Sequence, residues 1–257
     1  MRVPAFAKIN RSLRVLGLRP DGYHELRTEF QSIALHDTLV IDARRGPFRL
    51  TCDDLECPSD ETNLVWRAAA LAWKAARRRG EPRGVAIHLE KRIPMQSGLG
   101  GGSSDAAAAL RGLGRIWRVD RTTQREIATS LGADVPYFLD GGTMLGEDRG
   151  DRLSRLPDAR RVWVVLVIPS FGVSTKDAYG WWDADRPRPR GSNDLQAVVA
   201  KRLQKLNHEK RIAIGLAPDQ RRERLDVRGV RSERVRQEAH QIRQLERTQC
   251  QPMHAGA

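Results

Sequence analysis

Four glycines and three serines fall within the eight residues Ser97 to Ser104, between Pro94 and an unbroken apolar run from Ala106 to Leu110. No other stretch limits the fold as much. Glycine reaches positive φ and lets the backbone approach a ligand closely. A helix that starts straight after such a turn presents its unpaired N–H groups, and the positive end of its dipole, at the same point. An anion, and above all a polyphosphate, suits that geometry. The residues Pro94, Met95, Gln96, Ser97, Gly98, Leu99, Gly100, Gly101, Gly102, Ser103 and Ser104 are therefore the candidate phosphate-binding segment, with the hydroxyls of Ser103 and Ser104 free to cap the helix, bind phosphate or reach Mg²⁺. Two common phosphate loops are excluded. No lysine follows the glycines as a GxxxxGK[ST] loop requires, and Ser103 stands where a dinucleotide fingerprint needs its third glycine. An ordinary tight turn with a serine cap is the plainer reading, but four glycines exceed what a cap needs.

Composition narrows the class. At about 150 residues per domain, 257 residues make one large domain or two modest lobes. Three cysteines, Cys52, Cys57 and Cys250, have no zinc-ligand spacing, which fits a reducing compartment and no structural metal. No stretch approaches the ~20 apolar residues of a membrane span, and the N-terminus lacks a secretory apolar core. A cytoplasmic protein without membrane contact is expected. The net charge of +13 raises nucleic-acid binding. Residues 201–257, however, carry 14 Lys+Arg against 7 Asp+Glu, or +7, leaving +6 for the first 200 residues. The basic tail alternates its arginines with acids and contains no aromatic residue, so it offers no stacking platform for bases.

Before that tail the pattern mixes strands and helices. Strands are expected at 2–18, 38–43, 48–52 and 85–89, the last alternating Val85, Ile87, Leu89. Helices are expected at 63–79, capped by Thr62 or Asn63, within 103–116, and from Thr122 or Thr123 to Leu131. Val162 to Ile168 reads as a buried strand by its β-branching. Residues 183–193, DADRPRPRGSN, read as a loop.

Four segments in order carry a resemblance. Pro94 to Ser104 resembles the PxxxGLGxSS signature of the galactokinase, homoserine kinase, mevalonate kinase and phosphomevalonate kinase (GHMP) superfamily. Ala5-Phe6-Ala7-Lys8-Ile9-Asn10, Arg19 to Leu26 (RPDGYHEL) and Leu131 to Leu139 (LGADVPYFL) are similar to further elements of one branch, the 4-diphosphocytidyl-2-C-methyl-D-erythritol kinases. The resemblance covers about the first 200 residues. It implies an α+β fold of two lobes, with 1–155 the N-terminal GHMP kinase domain bearing the ATP loop and catalytic residues. Residues 156–200 would begin the C-terminal lobe, and 201–257 form a basic, atypical tail.

The resemblance further implies ATP and Mg²⁺ as cofactors and 4-diphosphocytidyl-2-C-methyl-D-erythritol as the small-molecule substrate, phosphorylated on its tertiary 2-hydroxyl. A tertiary alcohol is a weak nucleophile, so a carboxylate base and a nearby cation would serve the transfer. Asp134 and Lys8 match that pair. Taken alone, Asp134 would be read as a helix cap or an arginine partner, and Lys8 as a solvated edge lysine. By the same carry-over Tyr23 stacks on cytosine, His24 pairs with the base edge, Tyr179 is a second stacking aromatic blurred by Trp181 and Trp182, and Asn10 contacts substrate. Core packing for Tyr23 and a satisfied turn histidine are the alternatives. Glu25 and Asp105 are read as structural.

The pattern then breaks. Asn193 to Gln196 still fits the family's NDLE element, but the late SGSG-type loop is missing, since the tail's glycines, Gly215, Gly229 and Gly256, adjoin no other glycine or serine. The second lobe is therefore expected to be truncated or aberrant, through genuine replacement or a shifted reading frame. An inactive or ATP-binding-only paralogue and a basic nucleic-acid-binding protein are the competing functions.

Overall fold

The apolar alternation along Arg2–Leu18 (β1) and His24–Pro47 (β2) draws the two longest strands into an antiparallel pair that runs almost their whole length. The computed structural model describes residues 1–158, 162–168, 172–186 and 191–206, with side chains of the last helix described through Arg202. Arg49–Cys52 (β3) pairs in parallel with Arg83–Glu90 (β4), and β4 lies antiparallel to the second half of β2. Thr143–Glu147 (β5) pairs with the first half of β2 and with Arg152–Arg155 (β6). The sheet order is β3-β4-β2-β5-β6, with β1 attached to β2. The expected α+β class is what the chain adopts.

One face of the sheet carries the helices. Leu64–Ala75 (α1) starts at Asn63, whose side chain accepts from the Val65 N–H. Gly101–Trp117 (α2) buries Ala106 to Leu110 and Leu113 completely against Leu39, Ile41, Val85, Ile87 and Leu89. Alanines let α2 lie close to the sheet, and each large side chain buried there contributes about 1.5–3 kcal/mol. Gly112 has the same cause, because a Cβ would meet Ile41 Cδ1 at 2.3 Å. Arg121–Leu131 (α3) begins one residue before Thr122, the earlier of the two expected starts, and is capped by Asp120. Val135–Asp140 (α4) opens on Val135-Pro136, where proline's missing N–H costs nothing.

Beyond β6 the chain returns to β1. Thr175–Asp185 (α5) and Asp194–Leu206 (α6) sit over the far half of β1 and the start of β2. The buried Asp194 carboxylate fastens them, accepting from the Arg14 guanidinium at 2.8 Å and the Val15 N–H at 3.0 Å.

Three expectations are corrected here. Val162 to Ile168 is neither strand nor buried: Trp163 is 94% exposed and Val162, Val165, Val167 and Ile168 lie open, while Leu166 packs near Ala7, Ile93 and Leu99. β-branching reports that a segment could be buried, not that something covers it. The presumed loop 183–193 is helical through Asp185 and closes on Arg186 with positive φ, and helix resumes at Asp194. The first helix stops at Ala75 rather than Arg79, because Arg77 turns into the left-handed region. Helix α6 continues past Lys201, while the expectations of a basic tail, a missing loop and an aberrant lobe over 207–257 lie outside the described residues. Among the described residues no helix is long and apolar enough to cross a membrane.

Candidate active site

Strict alternation along β1 would put Lys8 on the same side as the exposed Phe6. It does not, because the β1–β2 register shifts between Phe6 and Lys8, where β2 advances four residues against two. Such irregularities re-aim side chains. Lys8 is turned inward to 7% exposure, over the Phe30 ring, and its Nζ donates to Asn10 Oδ1 at 2.7 Å. Asn10 in turn donates to Thr28 Oγ1, which donates to the Ser12 carbonyl, so the amide's orientation is set by a chain of bonds.

Asp134 immediately precedes α4 but makes no side-chain capping bond there. Its Oδ2 lies 3.7 Å from Lys8 Nζ, an ion pair too long for a hydrogen bond, and about a third of the side chain meets solvent. Its charge is felt by two phenols. Burial pushes Tyr137 up to about 12 against the opposing hydrogen bond from Ser32, and Asp134 adds to the rise. Tyr179 is pushed up by burial and by Asp134 as well.

The glycine segment joins this pair through the backbone, since the Lys8 N–H donates to the Leu99 carbonyl at 2.9 Å. Gly98 and Gly100 both hold φ +75°, and a Cβ on Gly100 would meet the Phe138 ring at 2.5 Å and Lys8 Cγ at 3.3 Å. Gly100 caps α2 from the left-handed region, with no side-chain hydrogen bond capping the end. The first intrahelical bond is Ser104 N–H to the Gly100 carbonyl, which leaves the N–H groups of Gly101, Gly102 and Ser103 without an intrahelical acceptor. Ser104 neither caps nor faces out: it is 2% exposed and its hydroxyl donates to the Phe6 carbonyl. Ser97 is tied to the Pro94 carbonyl, and Pro94, Met95 and Gln96 turn the chain into the glycines, with Met95 exposed.

A charged cluster beneath the loop was missed in the sequence. Lys91 Nζ donates to Asp105 Oδ2 at 2.7 Å and to Asp37 Oδ2, all three groups being buried, and Asp37 also accepts from the N–H groups of Arg92 and Ile93. Burial lowers the Lys91 pKa, but Asp105 and Asp37 more than offset it, so the ammonium is held charged. Two carboxylates share this one cation. Asp105, with Oδ1 unpartnered among the described residues, is pushed up to about 7 by burial against the pull of Lys91, with Asp37 adding to the rise. The structural role expected for Asp105 fits this lock between α2, β2 and β4.

The third region lies at the far end of β1. His24 is 9% exposed, with its ring stacked on Tyr179 (centroids 4.7 Å, planes 18° apart), edged by Trp182 at 5.8 Å, and its Nε2 2.8 Å from Asp183 Oδ1. Tyr179, Trp182 and Asp183 are at i, i+3 and i+4 of α5 and so share one face. Tyr23 points elsewhere: it is 55% exposed under the Arg149 guanidinium, 5.1 Å from the ring centroid. The structure thus brings Lys8, Asn10, Asp134 and the glycine loop together, and His24 with Tyr179, while Tyr23 stands apart from the His24–Tyr179 stack. Asp183 escaped the sequence reading because 183–193 looked like linker, and Trp182 was noted only as a neighbour that blurred the choice of Tyr179.

The positive-φ glycines and the open end of α2 fit an ATP phosphate chain. Among the described residues no group of three acidic, histidine or cysteine side chains could cage a metal ion.

Known proteins resemble this chain. The GHMP kinases N terminal domain family matches residues 63–142. The chain is 49% identical over 187 residues to 4-diphosphocytidyl-2-C-methyl-D-erythritol kinase of Moorella thermoacetica, covering 72% of this chain and 64% of that protein. It is 40% identical over 199 residues to the kinase of the same name from Bacillus pumilus, covering 76% and 68%. A crystal structure of 4-(cytidine 5'-diphospho)-2C-methyl-D-erythritol kinase superposes with a TM-score of 0.62 at 34% identity over 80% of each chain. The chain spans under two thirds of the length of the Moorella relative. On the strength of the longer matches, over four fifths of a solved structure and two thirds of the Bacillus protein, the chain belongs to the 4-diphosphocytidyl-2-C-methyl-D-erythritol kinase family of the GHMP kinases.

Proposed function

We propose that this chain is an ATP-dependent small-molecule kinase that phosphorylates the 2-hydroxyl of 4-diphosphocytidyl-2-C-methyl-D-erythritol. The observation that carries the reading is the Lys8–Asp134 pair, 3.7 Å apart, hung from the glycine loop by the Lys8 N–H to Leu99 bond. Asp134 accepts the hydroxyl proton as the oxygen–phosphorus bond forms. The bond between the β–γ bridging oxygen and the γ-phosphorus breaks, and ADP leaves with those electrons. Because Lys8 is committed to Asn10 and is not hydrogen-bonded to Asp134, the carboxylate keeps its lone pairs for the proton, while the ammonium stabilises the charge passing between the oxygens. Gly98 to Ser103 hold the phosphates through backbone N–H groups. Mg²⁺ would be held together with the ATP phosphates, with Ser103 as the candidate hydroxyl ligand, and would supply charge neutralisation. Asn10 contacts the methylerythritol end, and His24 reads the cytosine edge, with the exposed Tyr23 free to cover the base.

An ADP-release assay on the purified chain with Mg-ATP and the diphosphocytidyl substrate tests this. Saturable release that depends on the cytidine compound supports it. Nucleotide binding with no turnover would reduce the chain to an ATP-binding relative.

A further inference from the structure

The grip of α5 on His24 carries a specificity that the catalytic pair does not. A carboxylate offers only acceptors, so the 2.8 Å contact from Asp183 Oδ1 requires the proton of a neutral His24 ring to sit on Nε2. Its Nδ1 is then a bare lone pair, and it has no hydrogen-bond partner among the described residues. The ring cannot readily flip to exchange its nitrogens, because Tyr179 lies flat on it and Trp182 meets its edge. Both aromatics are anchored on the apolar cluster of Leu13, Val15 and Leu26.

We propose that Asp183 is a positioning residue that locks His24 in the Nε2–H tautomer, so that Nδ1 selects a pyrimidine bearing an exocyclic amino group over one bearing a carbonyl. This rests on the reading of His24 as the base contact. An amino group donates to the Nδ1 lone pair. A carbonyl at the same place sets two acceptors against each other, and a buried acceptor left unpaired is strongly disfavoured. An asparagine at 183 could turn its amide to donate to Nε2, moving the ring proton to Nδ1 and abolishing the choice.

Two measurements on the full chain test it. In ¹H–¹⁵N spectra at pH 8, with His24 assigned by its loss in His24→Gln, the ring should show a protonated Nε2 and a bare Nδ1. A proton on Nδ1, or an averaged ring, overturns the proposal whether or not the chain is a kinase. In calorimetric titrations the native chain should bind CMP about 10- to 100-fold more tightly than UMP. Asp183→Asn should bring that ratio below about threefold, and Asp183→Glu, which still only accepts, should keep most of it. An unchanged ratio in Asp183→Asn, or equal loss in both variants, overturns it. If neither nucleotide binds, the kinase reading fails, and the spectra alone decide what Asp183 does to His24.

Discussion

Lys8 and Asp134 face each other at 3.7 Å without a hydrogen bond, because the Lys8 ammonium is held at 2.7 Å by Asn10. The separation leaves a buried cation beside a carboxylate that is still free to take a proton.

Replacing either residue should therefore remove chemistry and not structure. Asp134→Ala and Lys8→Ala are each expected to lower kcat at least about a hundredfold. The fold should persist in both variants, with the melting temperature near native in Asp134→Ala, whose side chain is part-exposed, and somewhat lower in Lys8→Ala, which removes a buried stem lying over Phe30. Near-native turnover in one variant removes that residue from the mechanism.

Asn10→Ala tests the same geometry from the other side. Freed from Asn10, the Lys8 ammonium should swing onto Asp134 and hydrogen-bond it, taking up the lone pairs that accept the proton. A fall of about ten- to a hundredfold in kcat with a smaller change in the KM for ATP is expected. An equal loss in both constants would point instead to a damaged nucleotide loop.

Gly100→Val forces a branched side chain into positive φ and against Phe138, where a Cβ alone would come within 2.5 Å. ATP binding measured by calorimetry should be lost while CMP binding persists, because His24 and α5 lie at the other end of β1. Unaltered ATP affinity would exclude the loop from the nucleotide site. Gly98→Ala, with the same φ but no atom within 4 Å of a Cβ, should cost only about 1–2 kcal/mol of backbone strain.

Lys91→Met leaves two buried carboxylates without their cation. Removing one partner of a buried ion pair costs about 3–5 kcal/mol, to be read as a drop in unfolding free energy in urea. A change under about 1 kcal/mol would show that the cluster is not a lock.

The same cluster should make stability depend on pH. Asp105 has a folded-state pKa raised to about 7 from the ordinary 3.8, so the folded chain binds more protons than the unfolded one between those values. Its contribution is present in full below about pH 4, declines as pH rises, and is gone above about pH 7. The difference in stability between the native chain and Asp105→Asn should therefore shift against the native chain as pH rises from 4 to 8. A pH-independent difference would show that Asp105 is ionised throughout.

Much of the first 150 residues was legible without coordinates. The apolar runs and the turns between them marked β1, the second half of β2, β3 and β4, the alanine run marked α2, and the glycines marked its open end, because these depend on local backbone preference and on which side chains need burial. Thr62 and Asn63 were both readable as caps for the same reason, and the structure uses Asn63. What the tertiary structure alone decided was where side chains meet. Nothing local turns Lys8 inward; the register shift against Ser32 to His36 does. Nothing local pairs Lys91 with Asp37 and Asp105, which are 54 and 14 residues away. Asp183 sits 159 residues from His24, in a stretch whose prolines and arginines obscured the end of a helix. Charge on its own predicts solvent, and only the packing of α5 over β1 gives that carboxylate a ring to hold.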